Sequence, residues 1–283
     1  MEFLLQKSLK WYILVWCGCK MIDIVRTTKN KKYKYIKSLQ QKKMRVLEGV
    51  FTVEGKKSVI QAIDSMRRIK LIAVSESFLN ENDCGFLKNI DYLVVSNDIF
   101  AGLCDTKTPQ GIIAVIQIDN NDEFLPDINK LYVYCDNVSD PGNLGTIIRT
   151  ADAAGFGGVL LSKGCADAYS PKTVRASMGS FFNIDIITEV SYETLFDMKN
   201  DGFSLACGAL CQDSKRYTDV DFKKPTVIVV GNEANGVSDG ILKECEHIII
   251  PIYGKAESLN VGVAAAVMMY EAVRQREVHS NEQ

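Results

Sequence analysis

Residues 137–158 read NVSDPGNLGTIIRTADAAGFGG and follow the short apolar run LYVYC at 131–135. The run has the length and the aromatic and β-branched content of a buried strand. Asp140-Pro141-Gly142 makes a turn, and Asn143 stands where a helix N-cap would. Leu144, Ile147, Ile148, Ala151 and Ala154 then recur at helical spacing, Arg149 falls on the opposite face, and Gly155 supplies the C-terminal stop. The stretch is therefore a strand, a turn and an amphipathic helix, the repeating unit of an α/β fold. By themselves Asn143 reads as a cap and Arg149 as a solvated arginine.

Further strands are expected at Gly158–Ser162, Phe182–Val190, Ser204–Leu210, Thr226–Val230 and His247–Ile252, alternating with helical stretches. That alternation predicts a mostly parallel sheet with helices on both faces, in which ligands bind beyond the carboxyl ends of the strands. Two more loops fall at such ends. VIVVGNEANGVSD, 227–239, is a strand ending at Gly231, a turn containing Glu233, and a helix capped by Ser238. IPIYGKAESLNVGVAAAVMM, 250–269, leads into a long helix capped by Ser258, with Leu259 and Asn260 in its first turn. Gly262 and Ala264 to Ala266 suit tight packing against another helix or subunit. No Walker A motif is present and no GxGxxG follows a strand, so a P-loop NTPase and a dinucleotide-binding enzyme lose most of their support.

Upstream, strands at Leu71–Ser75, Tyr92–Ser96 and Gly111–Ile118, with helices in Glu54–Ile69 and near Asn97–Leu103, form a smaller α/β unit. DNNDEFLPDINK, 119–130, is polar and contains Pro126, as a linker would. The expected layout is a front domain at 21–118, the linker at 119–130 and a second domain at 131–283. Residues 1–20 carry two apolar stretches too short to span a bilayer and a poor cleavage site, and Met21 offers an alternative start. They read as an extension of doubtful origin.

The net charge of −2 conceals an asymmetry: residues 20–70 hold 15 Lys and Arg against 4 Asp and Glu, residues 71–283 hold 16 against 30. Lys31, Lys32, Lys34, Lys42, Lys43 and Arg45, interleaved with Tyr33 and Tyr35, give the front of the chain the phosphate-pairing and base-stacking groups of a nucleic-acid surface. Nine cysteines show no paired CxxC spacing and the two histidines, His247 and His279, none of the usual Cys/His patterns, so no metal is expected and His247 reads as structural. The cysteines suit a reducing cytoplasm, and no membrane span is expected.

Taken in this order and at this separation, the three loops resemble the signature motifs of the SpoU/TrmH family of RNA ribose methyltransferases. The resemblance covers roughly 131–276, and EGVFTVEGKKSVIQA from Glu48 with DTKTPQGIIAV from Asp105 resembles the L30e-like substrate-binding domain of many members. It implies a trefoil-knotted SPOUT methyltransferase fold, S-adenosyl-L-methionine as cofactor, a homodimer, and methylation of a ribose 2'-hydroxyl. Ribosomal RNA is preferred to transfer RNA, because a dedicated basic front domain suits a large folded substrate. Carried over residue by residue, Gly231, Ile250 and Leu259 would hold the cofactor through backbone groups. Arg149 would bind the adjacent phosphate and stabilise the developing alkoxide, and Asn143, Ser258 and Asn260 would position ribose and cofactor. Glu233 would orient Arg149 or a loop amide. A guanidinium stays protonated at ordinary pH, so Arg149 is a cation here rather than a base. Gly262 departs from the small or hydroxyl residue of many relatives and leaves the helix start potentially looser. Two alternatives stand beside this reading: a non-catalytic RNA-binding protein on a methyltransferase scaffold, and a knotted methyltransferase acting on a base.

Overall fold

A computed structural model describes residues 23–88, 90–119 and 124–280, so the extension expected at 1–20 lies outside the described residues. In chain order the elements are β1 (Ile24–Val25), α1 (Lys31–Ser38), α2 (Lys42–Glu48), β2 (Val50–Glu54), α3 (Lys56–Asp64), β3 (Ile69–Ser75), α4 (Glu76–Glu81), β4 (Tyr92–Val95), α5 (Asn97–Phe100) and β5 (Ile112–Gln117). They continue as β6 (Tyr132–Cys135), α6 (Pro141–Ala153), β7 (Gly158–Leu161), α7 (Pro171–Ala176), β8 (Asp185–Ile187), α8 (Tyr192–Asn200), β9 (Ser204–Gly208), β10 (Lys215–Arg216), β11 (Thr226–Val230), α9 (Asp239–Leu242), β12 (Glu246–Ile249) and α10 (Val261–Ser280).

Among the described residues two sheets form. The front sheet has the order β1-β4-β3-β5-β2 and is mixed, with β5 antiparallel to β2 and β3. The second, β10-β12-β9-β11-β6-β7-β8, is parallel throughout. Its central strands bury both faces: Val133 and Cys135 of β6 and Ile228 and Val230 of β11 point to one core, while Tyr132, Tyr134, Val227 and Val229 point to the other. Continuous apolar runs are what a sheet covered on both sides requires. Each buried Val or Ile contributes on the order of 1.5–3 kcal/mol, which the edge pair Lys215–Arg216 cannot.

The segment 182–190 is the main departure from the expected strands. Only Asp185–Ile187 pairs with β7, because Ser180–Phe182 closes a tight helical turn that carries Phe181 and Phe182 into the domain junction. There Phe51 of β2 meets Tyr169, Phe181 and Phe182 at centroid distances of 5.3, 5.2 and 6.5 Å. The strand β2, not foreseen, places Phe51 for this contact.

The junction also holds Arg45, which the sequence reading had assigned to RNA. Its side chain is only 5% exposed. The guanidinium donates to Leu39 O at 2.7 Å, Gln40 O at 2.9 Å and the carboxylate of Asp167 in the second domain. Arg45 therefore joins the two domains and is closed to a ligand. Tyr33 is likewise no stacking platform, being buried with its hydroxyl donating to Ile99 O. Lys31, Lys32, Lys34, Lys42 and Lys43 remain exposed on α1 and α2. No helix among the described residues is long and apolar enough to cross a membrane.

Replacing Arg45 with Ala leaves a carboxylate and two carbonyls without their partner, and the expected cost is about 3 kcal/mol, the usual consequence of halving a buried pair. Urea unfolding measures it; a change within experimental scatter would remove Arg45 from the junction.

Candidate functional site

The carboxyl ends of β6, β11 and β12 carry the three motif loops. After β6 the backbone N–H of Asp136 donates to Val230 O at 2.8 Å, so the two strands are tied where their loops begin. The Asp136 carboxylate is fully buried and accepts from Ser238 N at 2.7 Å, Asn137 Nδ2 at 2.7 Å and the Tyr192 hydroxyl at 3.1 Å. Asn232 Nδ2 donates to Asn137 O at 2.8 Å, while its Oδ1 accepts from Ala234 N and Asn235 N. A buried ionised group is tolerated when its lone pairs are filled in this way.

Glu233 lies outside that buried layer and reaches back to the first loop. Its carboxylate accepts from Ser139 N at 3.3 Å, Ser139 Oγ at 3.1 Å, Asp140 N at 3.2 Å and Asn143 Nδ2 at 2.9 Å. Asn143 Oδ1 in turn accepts from Asn260 Nδ2 at 2.8 Å. The relay Glu233–Asn143–Asn260 thus joins residues from three loops. Of the two roles foreseen for Glu233, the structure has the loop amides and not Arg149. Burial raises the Glu233 carboxyl, but the hydrogen bonds from Asn143, Ser139 and Asp140 outweigh it and hold the group below its ordinary value.

Two caps differ from expectation. Asp140, not Asn143, caps α6: its side chain accepts from Asn143 N, Pro141 fills the first turn, and that bond with Lys172 holds the Asp140 carboxyl low. This frees the Asn143 amide for the relay. In α10 the cap is Asn260, whose Oδ1 accepts from Gly262 N at 3.0 Å and Val263 N at 3.3 Å; Ser258 is exposed and precedes the helix.

Two glycines acquire other reasons than those expected. A Cβ on Gly231 would lie 2.2–2.4 Å from the backbone of Gly236 and Val237, so glycine is required by the loop closing on itself through the Asn232–Gly236 bridge. Gly262 is buried, and a Cβ there would meet Thr146 of α6 at 3.2 Å, so the start of α10 is tight where looseness was expected.

Arg149 is exposed on α6 and makes no hydrogen bond or ion pair among the described residues. Six positions on from Asn143, it lies about 9 Å further along the helix and about 120° around it. The structure does not bring it into the relay. Gly231 is buried at the end of β11, Ile250 is half-buried after β12, and Leu259 is 37% exposed. Leu210, beyond β9 and between those two strands in the sheet, is exposed together with Ile252 and Tyr253, giving the strand ends an apolar, solvent-facing rim. Leu210, Asp136 and Tyr192 were not singled out in the sequence. Buried and exposed apolar residues look alike in a strand pattern, and Tyr192 comes from a helix 56 residues along the chain from Asp136.

The SpoU rRNA methylase family matches residues 130–270, and the MRM3-like substrate-binding domain matches residues 30–114. The 23S rRNA (guanosine(2553)-2'-O)-methyltransferase RlmP of Bacillus subtilis is 36% identical over 247 residues, covering 87% of this chain and 97% of that protein. An S-adenosylmethionine-bound rRNA methyltransferase from Sinorhizobium meliloti superposes with a TM-score of 0.79 at 32% identity, over 89% of this chain and 98% of its own. The SpoU methyltransferase AviRb from Streptomyces viridochromogenes, also bound to that cofactor, gives 0.78 at 28% identity, over 88% and 98%.

Because Glu233 is depressed in the fold, its hold on the first loop is complete above the ordinary carboxyl value of 4.5 and is lost only as pH falls through the lower folded value. Glu233→Ala is expected to speed amide exchange at Ser139 and Asp140 roughly tenfold at neutral pH, the order of one charge-assisted hydrogen bond. Hydrogen exchange read at those two amides decides it, and unchanged rates would mean the loop stands without Glu233.

Proposed function

The chain belongs to the SpoU rRNA methylase family, and from that premise we infer that its motif loops transfer a methyl group from S-adenosylmethionine to a ribose 2'-hydroxyl of ribosomal RNA. The observation that carries this reading is the Glu233–Asn143–Asn260 relay, which holds three distant loops in one array at the strand ends. The apolar side chains of Leu210, Ile252 and Leu259, exposed after their strands, suit a ligand with an adenine ring and a methionine tail. Gly231, Ile250 and Leu259 would hold it. When bound, the cofactor supplies an electrophilic methyl on a sulfonium.

The protein's own contribution is alignment, since displacement at a methyl carbon requires the attacking oxygen in line. Asn143, Ser258 and Asn260 position the ribose, with the Asn143 amide fixed by Glu233. Arg149 is the unpaired cation of the first motif; it takes the neighbouring phosphate and favours the developing alkoxide, while the proton leaves to water. Lys31, Lys32, Lys34, Lys42 and Lys43 make the front domain, residues 21–118, the electrostatic grip on RNA, and residues 131–283 the transfer domain. The loop of 209–214, which crosses over β12, supports the trefoil knot. A cytoplasmic location belongs to the same reading.

A homodimer is part of the reading. Val263 and Tyr270 of α10, seven residues apart on one side, are 48% and 51% exposed. A second copy seated there explains how a site acquires a cation that Arg149 does not bring to the relay within one chain.

Two outcomes test this. Arg149→Ala should lose at least about a hundredfold in labelled methyl transfer to unmodified rRNA, scored as alkali-resistant dinucleotides, while still binding S-adenosylmethionine. Label in alkali-labile products would point to a base as acceptor. Separately, Tyr270→Glu should shift the particle to the monomer mass in light scattering; a dimer that persists would move the seam off α10.

A further inference from the structure

The parallel sheet places β12 between β9 and β10, although β10 follows β9 directly in the chain. Gly208 at the end of β9 and Lys215 at the start of β10 both pair with Ile248. Residues 209–214 therefore leave one side of β12 and return at the same level on its other side. The loop is braced from within: Ala209 N donates to Ile248 O at 3.0 Å, the Ser214 hydroxyl donates to Ala209 O at 2.8 Å, and Cys211 N donates to Ser214 Oγ at 2.9 Å. Bracing aims Cys211 and Asp213 at His247, one residue before Ile248 on β12. The Cys211 Sγ, a carboxylate oxygen of Asp213 and a ring nitrogen of His247 all lie within 4.8 Å of one another.

The ring of His247 is held in place from both sides. Its Nε2 lies 2.9 Å from Leu242 O, and its Nδ1 lies 2.8 Å from Asp213 Oδ1. Both neighbours are acceptors, whereas a neutral imidazole has one donor. Two charges satisfy this geometry: a second ring proton, donated by Nδ1 to Asp213, or, with the Nε2 proton given to Leu242 O and the Nδ1 lone pair facing the carboxylate and the thiol, a bound cation. A ring nitrogen pinned by a backbone carbonyl while the other faces the ion is the arrangement of a metal-ligating histidine.

We propose that Cys211, Asp213 and His247 bind a zinc-class divalent ion that clips the 209–214 loop across β12. One thiolate, one imidazole and one carboxylate are the donors that borderline-soft ions such as Zn²⁺ select over Mg²⁺ or Ca²⁺. Tetrahedral bonds of the usual lengths set nitrogen and oxygen about 3.3 Å apart, so Asp213 retreats by roughly half an ångström. Its side chain is 76% exposed and free to do so, and the same exposure leaves the fourth position to water. The site was invisible in linear spacing because its ligands come from a loop and a strand 34 residues apart. It stands independently of the methyl-transfer reading, since metal binding is measured without substrate or cofactor.

The experiment uses the full chain without a histidine tag, reduced and stripped by a chelator, titrated with Co²⁺ and then Zn²⁺. Expected are a thiolate-to-cobalt charge-transfer band and tetrahedral visible bands saturating at one Co²⁺ per chain, displaced by one equivalent of Zn²⁺, with a rise in thermal midpoint on Zn²⁺ binding. Cys211→Ser should abolish the charge-transfer band, and His247→Gln and Asp213→Asn should each weaken binding at least tenfold. Should His247→Gln not fold, the two loop variants decide alone. Absence of any band at saturating Co²⁺ would overturn the proposal and leave a proton as the cation on His247. So would a band that survives Cys211→Ser, which would assign the metal to the neighbouring Cys207 and Cys245 thiols.

Discussion

The Glu233 carboxylate faces the first turn of the Asp140–Pro141–Gly142 loop and accepts from two backbone amides, a hydroxyl and the Asn143 side-chain amide. Because Asn143 passes the connection to Asn260, which also caps α10, one carboxylate fixes the relative placement of two loops and the entry of a third. Beneath it Asp136 does the same work in the buried layer, joining Ser238 N and Tyr192 to the end of β6. The division is physical. The buried carboxylate is paid for by three donors and makes a rigid floor, while the exposed one can exchange partners with solvent.

The parts of this arrangement that were legible in the sequence are those governed by local periodicity. Thr226–Val230, Gly158 to Leu161 and the apolar stripe of α6 are recoverable because a buried strand is a continuous apolar run and a helix repeats every 3.6 residues. The family resemblance added the activity and the cofactor. Geometry that depends on what comes close in space was not legible. Asn143 and Asp140 are both competent caps, and only the position of Glu233 explains why Asp140 takes the cap and Asn143 the relay. Arg45 belongs to a basic run and is chemically indistinguishable from Lys42 and Lys43 there, yet Asp167, 122 residues away, removes it from the surface.

The junction between the domains follows from that pairing. Arg45, Phe51 and the Phe181–Phe182 turn convert two separately coded α/β units into one contact, with an aromatic cluster supplying area and a charged pair supplying register. Arg175 adds a surface ion pair to Asp105 at 3.1 Å across the same boundary, which contributes far less because both groups are wet. The lysines of α1 and α2 are thereby held at a set position relative to the strand ends instead of swinging on a tether. The distance from those lysines to the motif loops is thereby fixed by packing.

The position of β12 also dictates an order of assembly. β10 pairs with β12 alone, and β12 fills the slot between β10 and β9. Until residues 246–249 have emerged from the ribosome, β10 has no neighbour and one edge of β9 is open. The sheet is closed by the last strand to be synthesised, slipping into a gap that earlier chain has already framed. Non-local parallel pairing is slow to form. The waiting edge is the apolar strand Ser204–Gly208, a row of unpaired backbone groups of the kind that templates wrong pairing until β12 docks.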